Sequence, residues 1–207
     1  MAGIMVPVGM IAPTGGVLRL SLRSRPASRD ESAHAMHTAN TINTVNSWTP
    51  TIHGSLPPAA SAAIAAHPGV HPRPRLFQRA VGATDVIAPY DHVSNVTLGR
   101  WLDELAAITF ERERTVAEGL AWFIARQEID FLAETMRHDE LVAATWVVEI
   151  DRFRATRETL LARARDGAVL VRSKATWILV DLATRRPRRV PAELVATLQP
   201  TRIVDRR

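Results

Sequence analysis

The sequence predicts an α+β fold in which one long helix is wrapped by a curved antiparallel sheet, and three observations carry that prediction. From residue 96 to 114, Leu98, Trp101, Leu102, Leu105 and Ile108 recur at three- and four-residue spacing, with Arg100, Asp103, Glu104 and Glu111 between them. That is the pattern of an amphipathic helix. After Gly119 the chain changes to runs rich in Val, Ile, Trp and Thr at residues 121–131, 140–150, 153–165 and 168–181, which read as long strands. Asp166-Gly167 between the last two is a strong hairpin signal. An apolar helical stripe must be buried, and a sheet of long antiparallel strands is the surface available to bury it.

The remaining elements follow in order. Residues 77–83 alternate modestly and form a candidate first strand. Asn95, or Ser94 before it, is the natural N-cap of the helix, because a short side-chain oxygen accepts a bond from a first-turn N–H. Asp151-Arg152 marks a second tight connection. Near the C-terminus, Val190-Pro191-Ala192-Glu193-Leu194 places proline where a short helix starts and the missing donor costs nothing.

Upstream, composition changes. Residues 1–75 are rich in Ala, Pro, Ser, Thr and His, and no acidic residue occurs between Glu31 and Asp85. Pro57-Pro58, the alanine-rich residues 59–66 and the run from His67 to Arg75 bury too little apolar surface to offset chain entropy. The expected organisation is a low-complexity, disordered extension over 1–75 and one domain over 76–207. An acid-poor start containing Arg and Ser also fits an organelle transit peptide, and a start assigned too far upstream has the same look. Deleting the residues before Leu76 is expected to leave the fold intact.

The chain of 207 residues has no cysteine, which excludes disulfides, thiolate zinc sites and a cysteine nucleophile. An intracellular, cytoplasmic protein is expected. The first 18 residues are apolar, but prolines and a Gly-Gly pair break them and their arginines follow the apolar part, the reverse of a secretory signal. No stretch approaches the roughly 18 apolar residues of a membrane span. The net charge of +5 is scattered among acidic residues, so no nucleic-acid partner is expected. The histidines of the low-complexity region lack ligand spacing, and no metal is expected.

The chemistry is expected at Tyr90-Asp91-His92-Val93-Ser94-Asn95-Val96, directly before the helix. A helix N-terminus presents unpaired N–H groups and partial positive charge, which suits a developing oxyanion. A carboxylate and an imidazole delivered to that point can orient or activate water. The same residues also suit plain capping: Asp91 as a solvated turn residue, His92 as a buried pin of the loop, Asn95 as a cap.

His92-Val93-Ser94-Asn95, followed by Arg100-Trp101-Leu102-Asp103-Glu104, resembles the opening of the hot-dog thioesterases of the hydroxybenzoyl-CoA and acyl-ACP thioesterase type. The resemblance continues through Arg126 to Leu132, Asp139-Glu140-Leu141, Thr145-Trp146-Val147, Ala175-Thr176-Trp177 and Val180 to Pro187, covering about residues 76–198. It implies a hot-dog fold pairing edge to edge into a homodimer or a dimer of dimers, and hydrolysis of an acyl-CoA to an acid and free coenzyme A, as in fatty acid metabolism, with no cofactor. The backbone N–H groups of Asn95 and Val96 would polarise the thioester carbonyl, and Asp91, His92, Asn95 and Glu104 are the implied catalytic set. One oxyanion donor is typically worth about 10²- to 10³-fold in rate. Many members carry Asp four residues before the histidine and Gly directly before it; here Ala88 and Asp91 stand there. Asp91 is the favoured replacement carboxylate, with Asp85, Glu104 and Asp103 as alternatives. Arg185, Arg186, Arg188 and Arg189 are either phosphate contacts or a solvated exit segment. Alternatives to acyl-CoA hydrolysis are hydrolysis of acyl-ACP and a non-catalytic acyl-CoA-binding protein. A hot-dog hydratase or dehydratase lacks support, because the paired Asp and His signature that such enzymes need around the helix is not found in the sequence.

Overall fold

The computed structural model describes residues 48–111 and 118–204. In chain order, β1 (Thr49–Thr51) and α1 (Pro58–Ala65) lead to β2 (Arg75–Ala80), and two short strands, β3 (Val86–Ile87) and β4 (His92–Val93), precede α2 (Asn95–Glu111). Four long strands follow: β5 (Leu120–Phe131), β6 (Glu140–Ile150), β7 (Arg154–Arg163) and β8 (Val169–Asp181). The chain closes with β9 (Arg186–Pro187), α3 (Ala192–Leu198) and β10 (Arg202–Ile203). The main sheet runs β1-β2-β6-β7-β8-β5 with every neighbour antiparallel, while β10 lies parallel to β6. Register shifts place an extra residue on β5, β6 and β8. Such bulges bend strands and add twist, which accounts for a sheet that curls rather than lying flat. This is the hot-dog architecture expected, and the four long strands lie within two residues of their expected ends. The expected end of the helix, Arg114, lies outside the described residues.

The two faces of β6 explain why it reads as one apolar run. Leu141 and Ala143 face α2, packing with Leu98, Trp101, Leu102 and Leu105. Val142, Ala144 and Trp146 point the other way, onto Leu56, Ala60 and Ile64. A strand covered on both faces has no need of polar alternation. Trp101 and Leu105 are fully buried, so the helix is fixed to the sheet along its middle turns.

The turns obey local chemistry. At the β7–β8 hairpin the Asp166 carboxylate accepts bonds from Arg163 and from the Ala168 N–H, and these hold its pKa down at about 2. Gly167 has φ +71°, and a Cβ there would lie 2.4 Å from the Ala59 carbonyl oxygen. Only glycine permits this approach of α1 to the hairpin. Asp151 accepts the N–H groups of Phe153 and Arg154 at 2.9 and 2.8 Å, which makes the expected tight turn between β6 and β7. Pro191 is the N-cap of α3, one step before the first helical turn.

One expectation is corrected. Residues 48–75 are folded onto the sheet: β1 pairs with β2, Trp48 is buried beside Trp101, and α1 covers the outer face. The alanine-rich stretch is a helix because alanine has the highest helix propensity and Pro58 sits in the first turn, where its missing N–H does no harm. Residues 1–47 lie outside the described residues. Burying Trp48, Leu56 and Ile64 contributes roughly 1.5–3 kcal/mol each, a sum comparable with the roughly 5–15 kcal/mol net stability of a typical domain. Deletion of residues 1–74 is therefore expected to abolish cooperative thermal unfolding; a melt unchanged from the full chain would contradict this packing.

Candidate functional site

The candidate site is a short hairpin delivered to the start of α2. β3 and β4 pair Val86 with Val93 and Ile87 with His92. The connection closes with the Asp91 N–H donating to the Ile87 carbonyl at 3.0 Å. Asp91 has φ +56°. This backbone conformation favours glycine and tolerates aspartate better than most residues, which is a physical reason for glycine at this place in the family pattern and for Asp as its substitute.

A second loop holds the hairpin from the other side. His92 bridges to Met136, the Val93 N–H donates to the Thr135 carbonyl at 2.8 Å, and the Arg137 N–H donates to the Asp91 carbonyl at 3.1 Å. That loop is anchored by buried Asp139, which accepts the Met136 N–H at 2.9 Å and pairs with Arg165 at 3.1 Å. Tyr90 and His92 rings lie 5.8 Å apart.

Ser94, rather than Asn95, caps the helix. Its hydroxyl accepts the Thr97 N–H at 3.1 Å, and its carbonyl accepts the Leu98 N–H at 2.9 Å. Asn95 is the first helical residue. The N–H groups of Asn95 and Val96 thus have no acceptor within the helix. Val96 is 84% exposed, so this first turn opens outward and a carbonyl oxygen can approach it.

The carboxylates divide sharply. Glu104 is half-buried and paired with Arg79 at 3.6 Å and Arg100 at 3.5 Å; Asp85 is bonded to Arg79 at 2.7 Å. Both are committed to ion pairs. Asp91 is exposed, with Arg137 at 3.8 Å. Asp103 lies on the outer face of α2, and partial desolvation by its surroundings raises its carboxyl pKa above the ordinary aspartate value. The structure therefore brings Asp91, His92, Asn95 and Val96 together and leaves Glu104 two and a half turns along the helix.

Other candidates fall elsewhere. Arg185 to Arg189 follow β8, whose residue Asp181 pairs with Leu120 at the start of β5, whereas His92 bridges to Met136 in the loop that follows the end of β5. At roughly 3.3 Å per residue, the arginines stand about 35 Å from the hairpin within one chain. Glu128 and Asp130 pair with Arg126 and Arg172 on the edge strand. Trp101 and Trp146 are core residues on opposite faces of the sheet, while Trp122 and Trp177 pack around Phe110. Of two concavities, one of about 450 Å³ lies against the C-terminal half of α2 beside Ile52, Phe77 and Ile108, and one of about 240 Å³ lies between the sheet and α3 beside Arg73, Thr145, Arg157 and Leu198. Neither borders the hairpin. Among the described residues, no group of three or more His, Cys, Asp or Glu could hold a metal ion, and no helix is long and apolar enough to cross a membrane.

The signal that distinguishes Ser94 from Asn95 as cap is the spacing Ser94-x-x-Thr97, whose hydroxyls also meet at 3.0 Å. Ser94→Ala is expected to cost about 1 kcal/mol of stability, the usual value of an N-cap side chain, whereas Asn95→Ala is expected to cost much less. Chemical denaturation of both variants measures the difference, and equal costs would contradict the assignment.

Comparison with known proteins agrees with this architecture. Residues 94–198 match the family model described as the acyl-ACP thioesterase N-terminal domain. A chloroplastic acyl-[acyl-carrier-protein] hydrolase of Cuphea viscosissima is 25% identical over 81 residues, 39% of this chain and 20% of that protein. The match thus spans one fifth of that relative's length. Among solved structures, a putative oleoyl thioesterase from Lactobacillus plantarum superposes with TM-score 0.57 at 19% identity, covering 65% of this chain and 54% of that one. A 1,4-dihydroxy-2-naphthoyl-CoA thioesterase from Synechocystis gives 0.53 at 15% identity, covering 60% and 94%. The 12:0-ACP thioesterase from Umbellularia californica gives 0.52 at 17% identity, covering 63% and 51%. With more than half of its residues matched by one family model and its sheet and helix in the same arrangement, the chain belongs to the acyl-ACP thioesterase family.

Proposed function

We propose that the protein is a thioester hydrolase that converts acyl-CoA, or alternatively acyl-ACP, to a carboxylic acid and a free thiol. The observation that carries this reading is the opening of the first turn of α2, with the N–H groups of Asn95 and Val96 unclaimed within the helix, directly after the Asp91–His92 hairpin. In the proposed reaction those two N–H groups bind the thioester oxygen as it gains negative charge. Their dipoles are already oriented, so little reorganisation is needed in the transition state.

Asp91 acts as the general base, taking a proton from water as it adds to the carbonyl carbon. His92 orients the water or the base, and Asn95 contributes its backbone. The tetrahedral intermediate collapses by breaking the C–S bond; the thiolate leaves and takes up a proton, and the acid remains. No metal or redox group is needed for these steps. Glu104, held by Arg79, is not given the role of base; Asp103 is the reserve carboxylate.

The reading includes a homodimer. β5 is the edge of the sheet, twelve residues long, with Phe123, Ile124 and Phe131 exposed. A long apolar edge is a template for another strand, and a second copy covers it with the same surface. The cytoplasm is the proposed location, and fatty acid metabolism the proposed context.

The competing reading, a protein that binds acyl-CoA without hydrolysing it, is favoured by Ala88 at the place of the usual carboxylate. Release of free thiol from short, medium, long and aromatic acyl-CoAs and from acyl-ACP tests the two. Asp91→Asn keeps a residue that tolerates positive φ and is expected to lower kcat by about 10²- to 10⁴-fold, the range of a general base. Surviving turnover in that variant would assign the base to Asp103; a wild-type protein that hydrolyses neither substrate class would contradict the proposal.

A further inference from the structure

A single guanidinium joins the elements around the candidate site. Arg79, on β2, is buried, with its side chain 7% exposed. Its Nη2 donates to Asp85 Oδ1 at 2.7 Å, and its Nη1 lies 3.6 Å from Glu104 Oε2. The same group sits over the Trp101 ring at 3.9 Å and near the Trp48 ring at 5.8 Å. Burial pulls its pKa below the ordinary arginine value, while Asp85 and Glu104 push it back. Arginine stays charged under such opposition, and its planar fork can meet a carboxylate and an aromatic face together.

What Arg79 holds is the loop that carries the chemistry. Asp85 also accepts the Gly82 N–H at 2.9 Å, and the next two residues are β3, the strand paired with His92 and Val93. Glu104 belongs to α2, whose first turn offers the Asn95 and Val96 N–H groups. A charge buried between two carboxylates is costly to leave unpaired, which makes this a stiff connection rather than an exposed ion pair.

We propose that Arg79 is a positioning residue of the hydrolytic site: by pinning the 82–91 loop through Asp85 to α2 through Glu104, it sets Asp91 and His92 against the helix N-terminus. The assignment rests on the thioesterase reading for its kinetic consequence but not for its structural one. Trp48 belongs to the same arrangement, since its ring closes the stack on the N-terminal side.

The test uses the full chain. Arg79→Met strands two carboxylates and can unfold the protein, so it is combined with Asp85→Asn and Glu104→Gln, which removes both charges. In this triple variant, with a cooperative melt like that of wild type, kcat is expected to fall about 10-fold or more, as small misplacements do, with KM within about twofold. Arg79→Lys with Asp85 and Glu104 left intact is the conservative comparison: it keeps the charge and both its partners but not the planar fork, and is expected to retain part of kcat. A second readout needs no turnover: Tyr90 is the only tyrosine in the chain, and its ring contact with His92 is observable as a nuclear Overhauser effect. Loss of that contact in the folded triple variant supports the proposal. Retention of the contact, or of wild-type kcat, overturns it. If the wild type hydrolyses no thioester, the function fails while the contact still decides the role of Arg79.

Discussion

Burial of one helical stripe is the constraint on which the rest of this structure depends. Leu98, Trp101, Leu102 and Leu105 of α2 must leave water, and the curled sheet is shaped to receive them. Each such side chain contributes roughly 1.5–3 kcal/mol when buried, so the helix has one orientation and one height on the sheet. Its N-terminus is consequently fixed in space at the point where β4 ends. A catalytic geometry needs that fixity before it needs any particular side chain.

The same constraint explains the arrangement of charges. The outer face of α2 carries Val96, Arg100, Asp103 and Ala107, all exposed, while Glu104 turns partly inward and meets Arg79. Inward carboxylates are thereby neutralised by a buried arginine, and outward ones stay accessible. Asp91 is outward by a different route: its positive φ turns the chain at the end of the hairpin and leaves the side chain toward solvent. The candidate chemistry thus sits at the surface rather than in a deep pocket.

Much of this was legible in the sequence. The helix and all four long strands follow from apolar periodicity, since burial on a helix or strand leaves a direct trace in residue spacing. The motif at residues 90–96 was legible as a helix-opening segment. What escaped was the packing of α1, because of its two buried residues, Ala60 and Ile64, only Ile64 is large, and Leu56, which packs with them, lies just before the helix. The trace of its presence lay in β6, where Val142, Ala144 and Trp146 are apolar on a face that an uncovered sheet would make polar. Arg79 also escaped: nothing in spacing shows that Asp85 and Glu104, nineteen residues apart along the chain, converge on one guanidinium. Convergence of distant residues is a product of the tertiary fold, and periodicity reports only neighbours on one element.

The central claim is that the first turn of α2 is where a thioester carbonyl is bound and attacked. The most direct test is a crystal structure of the protein with a non-hydrolysable acyl-CoA analogue in which a ketone replaces the thioester. The account predicts the ketone oxygen within hydrogen-bonding distance of the Asn95 or Val96 N–H, with Asp91 within reach of the carbonyl carbon through one water. An analogue seated instead against the C-terminal half of α2, with its carbonyl away from Asn95, would contradict it.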